Sequence, residues 1–263
     1  NNCHNRGNVM SRTMSRLAAI AVFLIAQAGL VKAAEVKVFS TIGVQAALEE
    51  LAPKFEQATG SKLNITWATA AILVKRVQAG ETADLMVLTK QSLDALTKDN
   101  KATAGADAIF ASSGMAVVVK KGAPKPDISA LINAKTIAYS DPAAGGASGV
   151  YFAKLLERMG IADQMKGKTR HPPPSGNSAN LVVAGEADLA IQQEPEVMSV
   201  AGIDMVGPLP ADLNNITAYA AGIGAGSQQA DAATALIRFL HSPEAQAVFK
   251  AKGLKPTDAP KGT

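Results

Sequence analysis

One short stretch occurs twice in this chain, as Ala79-Gly80-Glu81-Thr82-Ala83-Asp84-Leu85 and again as Ala184-Gly185-Glu186-Ala187-Asp188-Leu189. Each copy ends a helical apolar pattern and opens an apolar run, Leu85–Leu88 in the first case and Leu189–Ile191 in the second. The glycine stops the helix because it takes the left-handed conformation without the penalty a Cβ brings. A second echo lies upstream of each copy: Val38-Phe39-Ser40-Thr41 is matched by Ala138-Tyr139-Ser140-Asp141, a strand running into a hydroxyl-bearing turn. After the first turn, Val44, Ala47, Leu48, Leu51 and Phe55 fall at i, i+3, i+4, i+7 and i+11, one face of an α-helix. After the second comes a helix over Ser148–Met159, with Phe152, Leu155, Leu156 and Met159 as its buried face.

Two lobes of similar design follow. The expected class is α/β, each lobe a mixed, mostly parallel sheet flanked by helices, with a ligand cleft between the lobes where the carboxyl ends of the strands meet. Residues 34–119 with 219–263 are expected to form the first lobe and residues 120–218 the second. Met115–Lys120 reads as a strand, and the polar, proline-containing Lys121–Asp127 as the crossing. Thr217–Ile223 reads as a returning strand, helices near Gln228–Leu240 and Ser242–Lys250 complete the first lobe, and the tail after Leu254 is expected to be loose.

Residues 1–33 are set apart. Arg12 and Arg16 precede an apolar run, Leu17–Val31, that ends near Ala33 in small residues, the pattern of a cleaved secretory leader. A soluble periplasmic protein is expected. The net charge of +4 lies wholly in this segment, which holds Arg6, Arg12, Arg16 and Lys32 and no acid, so a nucleic-acid partner is not implied. The one cysteine, Cys3, lies there too, which removes disulfides, thiol nucleophiles and thiolate metal sites from consideration.

The chain carries no GxSxG, HExxH, P-loop or dinucleotide motif. Neither a metal nor a cofactor is expected. Four turns instead place small or hydroxylated residues at helix starts: Ser40, Thr41 and Gly43; Thr69, Ala70 and Ala71; Asp141–Gly149 with Ala147 and Ser148; and Pro174–Asn180 with Ser178. Any one of them can simply cap its helix. Together, in two facing lobes, their free N–H groups and positive dipole ends can converge on one anion. Lys75, Arg76 and Arg170 are solvated charges or carboxylate partners, and Gln192 and Gln193 end a strand where amides reach a cleft. His171 and Glu194 are candidate bases if the protein is an enzyme, and otherwise surface residues.

With these features placed, the chain resembles the periplasmic molybdate-binding proteins, type II solute-binding proteins of ABC transporters. The resemblance runs through Val38-Phe39, Leu73–Gly80 with Ala83-Asp84-Leu85, Asp141-Pro142 followed by Gly149-Val150-Tyr151-Phe152-Ala153, and Ser242-Pro243-Glu244-Ala245. It implies capture of a small anion and delivery to a membrane permease; a monomer is expected, because binding and release require the lobes to move. The chain departs from the family pattern where Gly43 replaces a serine, where Thr69-Ala70-Ala71 replaces a serine-rich run, and where Gln193 replaces a tyrosine. Ile128–Lys135 is also short for the helix usual there. These departures leave a metalate oxyanion and an organic carboxylate both open as ligand. An exported aconitate isomerase built on the same scaffold is similar as well, so a tricarboxylate isomerase that shifts a C=C bond is the alternative function. A base reaching the cleft beside two cations would favour the enzyme, and a cleft of hydroxyls and N–H groups would favour binding.

Overall fold

The computed structural model describes residues 34–127 and 133–257. Residues 1–33, where a leader is expected, and most of the short segment Ile128–Lys135 lie outside the described residues. In the first lobe β1 (Glu35–Thr41) lies between β2 (Lys62–Ala68) and β3 (Leu85–Thr89), parallel to both. Its side chains alternate as a strand's must. Val36 and Val38 join the core made with α1 (Gln45–Thr59), α8 (Ala230–Leu240) and α9 (Pro243–Ala251), while Phe39 faces α2 (Ala70–Gln78) and α3 (Lys90–Lys98). The periodic face of α1 is the buried one. On the far side of β3 the sheet turns antiparallel, through β11 (Thr217–Gly224), β5 (Ile109–Ser113) and β12 (Lys255–Pro256), with β4 (Ala102–Thr103) also against β11. The tail expected to be loose is therefore paired as far as Thr257, whose N–H donates to the Phe110 carbonyl (2.9 Å).

The second lobe has strand order β10 (Ile203–Pro208), β6 (Met115–Lys120), β9 (Leu189–Gln193), β7 (Ile137–Tyr139), β8 (Thr169–Arg170). Only β9, β7 and β8 run parallel; β6 is antiparallel to both of its neighbours. Both sheets thus have a parallel core of three strands and are less parallel than the sequence suggested, because the strands that lead into and out of the crossings run backwards. Helix α4 (Ala147–Arg158) packs Phe152, Leu155 and Leu156 on one face of this sheet. Burying each contributes about 2 kcal/mol. Met159, expected on the same face, follows the last turn of α4 and is 48% exposed. The short helix α5 (Ala162–Lys166) follows, and α6 (Ala179–Ala184) and α7 (Glu194–Met198) cover the sheet's other face.

The repeated stretch does the same work in both lobes. Gly80 and Gly185 take φ values of 98° and 80°, with nothing near the place a Cβ would occupy, so conformation and not space calls for glycine. The aspartate that follows holds the neighbouring parallel strand. Asp84 Oδ2 accepts the Lys37 N–H (2.9 Å) and Asp188 Oδ2 accepts the Thr136 N–H (2.9 Å), while each aspartate's own N–H donates back to that residue's carbonyl.

The chain crosses between the sheets at Ser113-Gly114-Met115, earlier than Lys121–Asp127, because β6 pairs within the second sheet. It returns through residues 209–216. Asn214 in that return ties the two crossings together: its Oδ1 accepts the Met115 N–H (2.8 Å) and its Nδ2 donates to the Met115 carbonyl (3.2 Å).

Candidate functional site

Strand ends from both sheets open onto one cleft. From the first lobe come Thr41, Ile42 and Gly43 after β1, Thr69 and Ala70 after β2, Thr89 after β3, and Tyr219. The second lobe brings Ser140, Asp141, Ala147 and Ser148 around the start of α4, Pro172, Pro173, Ser175 and Gly176 after β8, and Gln193 and Glu196 after β9. The space these residues enclose is small, about 30 Å³, room for one or two waters.

Three helix starts point into this space. The turn Ile42–Val44 follows Thr41 with no side-chain cap, and α4 follows Gly146 with none. Their leading N–H groups have no acceptor inside the helix and carry the positive end of its dipole. At α2 the Thr69 hydroxyl accepts the Ile72 N–H (3.3 Å) and itself donates across the cleft to the Ala144 carbonyl (3.1 Å), so the two lobes touch at the rim. The fourth start does not join them. The Ser178 N–H donates to Gln192 Oε1 (2.7 Å), the Ala179 N–H goes to Asn177 Oδ1 (2.9 Å), and the Ser178 Oγ is buried without a partner among the described residues. That loop reaches the cleft through Ser175 and Gly176 instead.

Of the residues singled out from sequence, Thr41, Thr69, Ala70, Ala147, Ser148 and Gln193 line the cleft. Ser40 is fully buried behind it, its hydroxyl donating to the Thr41 carbonyl (3.3 Å). No Lys, Arg or His is among the lining residues. Arg76 is turned away onto the Phe39 ring (4.8 Å) and forms a two-pronged pair with Glu81, both bonds 2.6 Å, which lowers the Glu81 pKa and raises its own. Lys75 is exposed one residue before it, and Arg170 donates to the Gly167 (3.4 Å) and Thr169 (2.9 Å) carbonyls. His171 is pinned at the surface, Nδ1 2.8 Å from the Tyr139 carbonyl and its ring edge-on to Tyr139. Glu194 is half-buried, and its N–H donates to the Gly114 carbonyl (2.9 Å).

Gln193 faces the cleft with its amide already used. Its Oε1 accepts the Ser113 hydroxyl (2.6 Å) and its Nε2 donates to the Thr217 hydroxyl (2.9 Å), joining the end of β9 to both strands at the crossings. Gln192 alternates to the other side of the strand and donates its Nε2 to Glu196 Oε2.

Two functional groups were not foreseen. Glu196 sits in the first turn of α7, where Pro195 starts the helix. Its Oε2 is held by Gln192, and its Oε1 makes no protein hydrogen bond among the described residues. Burial pushes its carboxyl up to about 7, against the opposing hydrogen bond from Gln192. Tyr219, fully buried on β11, brings its hydroxyl to 3.1 Å from the Ser113 hydroxyl. Burial first, and then the nearby Glu196 charge, raise its pKa, so the phenol stays protonated. The phenol fills the space over Gly43: a Cβ there would lie 2.9 Å from two of its ring carbons and nearer still to the hydroxyl. The missing side chain at Gly43 was the one sequence signal for this arrangement.

Helix starts facing each other across a hinged cleft are the architecture of type II periplasmic binding proteins, and residues 36–255 match the model of the bacterial extracellular solute-binding protein family. The chain belongs to that family. It is 34% identical over 257 residues to an aconitate isomerase of Pseudomonas sp, covering 92% of this chain and 96% of that one. It is 25% identical over 256 residues to the molybdate-binding protein ModA of Escherichia coli strain K12, covering 93% and 98%. Among solved structures, the periplasmic molybdate-binding protein of Azotobacter vinelandii superposes with a TM-score of 0.70 at 18% identity, over 83% of this chain and 98% of that one.

Proposed function

We propose that this protein is exported to the periplasm, captures a small organic anion between its lobes and delivers it to the permease of an ABC transporter. The observation that carries the reading is the convergence of the Ile42, Ala70 and Ala147 helix starts on one cleft lined by no cationic side chain. Such a site holds a carboxylate by N–H groups and hydroxyls alone. An organic acid fits better than a compact oxyanion because the lining also holds the carboxyls of Glu196 and Asp141.

The test is a thermal-shift screen with molybdate, tungstate, sulfate, phosphate and di- and tricarboxylates. A ligand at a hundred times its Kd adds about 2.7 kcal/mol, which for a chain of this size raises Tm by about 5–10 °C. A shift with carboxylates is expected; a shift with the metalates alone overturns the organic reading.

A second reading, an isomerase acting on an unsaturated tricarboxylate, is favoured by the carboxyl residue Glu196 in the cleft lining and by the 34% relative, while the two cations expected beside such a base are not among the lining residues. Incubation with cis- or trans-aconitate followed by NMR tests it.

A further inference from the structure

The cleft has a chemical asymmetry that capture alone does not call for. On one side stand N–H groups and hydroxyls; on the other is Glu196, with one oxygen fixed and one free. The fixing is layered. The Ser178 N–H at the start of α6 holds Gln192 Oε1, and Gln192 Nε2 holds Glu196 Oε2, so the carboxyl plane is set by a chain anchored in backbone. A base held by a partner that is itself held is the geometry proton transfer requires. Opposite, Tyr219 is locked by Ser113, which is locked by Gln193. Asp141 is the other acidic residue lining the space, and its Oδ1 accepts the Ala143 N–H (2.9 Å), a local cap on its own turn.

We propose that Glu196 is a catalytic residue that moves a proton between carbons of a bound unsaturated carboxylic acid, with Gln192 as its positioning residue. The proposal rests on the isomerase reading and names the groups that carry it. The free Oε1 of ionised Glu196 takes a proton from an allylic carbon. The electron pair of that C–H bond passes into a dienolate spread over the C=C bond and the adjoining carboxylate, which the α4 N–H groups stabilise. The Glu196 carboxylic acid then returns the proton to either end of the allylic system, the pair re-forms a C–H bond, and the carboxylate is regenerated. Nothing is oxidised or reduced, and no co-reactant is consumed. A carboxyl titrating near 7 is matched to giving and taking a proton at neutral pH.

The experiment incubates the full chain with cis-aconitate, and separately trans-aconitate, in D2O, and follows deuterium entry at carbon by NMR and mass spectrometry, with binding measured in parallel by thermal shift. Wild type is expected to exchange. Glu196→Gln, which keeps the shape, should bind and lose exchange at least a hundredfold. Gln192→Ala should move the pH profile of exchange, which a merely structural role would not. Glu194→Gln, outside the cleft, should exchange as wild type does. Wild type that binds either acid without exchange, or Glu196→Gln that exchanges at the wild-type rate, overturns this proposal and leaves anion capture standing. Failure of both acids to bind overturns the isomerase reading along with it.

Discussion

Replacing Glu196 with glutamine should stabilise the ligand-free protein, and by an amount that depends on pH. The folded state raises this carboxyl from its ordinary 4.5 to about 7 by burying it. Between those two values the folded chain holds a proton that the unfolded chain has released, so stability falls as pH rises through the interval; the cost is fully present above about 7 and absent below 4.5. At 1.36 kcal/mol for each pH unit the full cost is about 3 kcal/mol. Glutamine carries no charge at any pH and keeps a carbonyl oxygen for the Gln192 amide, so it escapes that cost. At pH 8 the variant should exceed wild type by about 3 kcal/mol, or about 6–12 °C in Tm, and at pH 5 the difference should shrink to about 1 kcal/mol. Scanning calorimetry of both proteins at the two pH values, without ligand, measures this. A difference equal at pH 5 and pH 8, or a variant less stable than wild type at pH 8, would refute the assignment of a buried, proton-holding carboxyl.

Three further expectations follow from the same geometry. Affinity for a carboxylate ligand should fall as pH rises through about 7, where Glu196 gains its charge beside the bound anion, and Glu196→Gln should flatten that dependence in calorimetric titrations. Gly43→Ser should cost about 1–3 kcal/mol in denaturant unfolding, because its Cβ meets the immobile Tyr219 ring, and Tyr219→Ala in the same chain should recover part of the loss. Arg76→Ala should leave ligand affinity unchanged, since its guanidinium serves Glu81 and Phe39 and not the cleft.

The fold was legible wherever local periodicity and backbone chemistry agree. The apolar face of α1, the glycine stops at Gly80 and Gly185 and the Ser242 cap all depend on residues a few positions apart. The crossing point was not legible, because Met115–Lys120 is an apolar run that would suit a buried strand of either sheet; only its pairing with β9 and β10 assigns it. In the cleft, turns such as Thr41, Thr69 and Ser148 could be read because a strand end followed by a helix start fixes their position. The charged candidates could not be placed, because direction around a helix and competing partners decide them: Arg76 found Glu81, while Glu196, two residues past the expected Glu194, faces inward from the first turn of α7. Tyr219 reads as an ordinary core residue of an apolar strand, and only the space left by Gly43 brings its hydroxyl to the ligand side.

The claim that helix starts hold the ligand is tested most directly by calorimetric titration of cis-aconitate into wild type and into Ala147→Glu. Ala147 is exposed in the cleft at the first position of α4, where an added carboxylate suits the helix dipole and so should not lower Tm, yet occupies the place of the ligand's charge. One saturable site in wild type, weakened about tenfold or more in a variant of undiminished Tm, is the predicted result. Equal affinity in the two proteins would contradict the account.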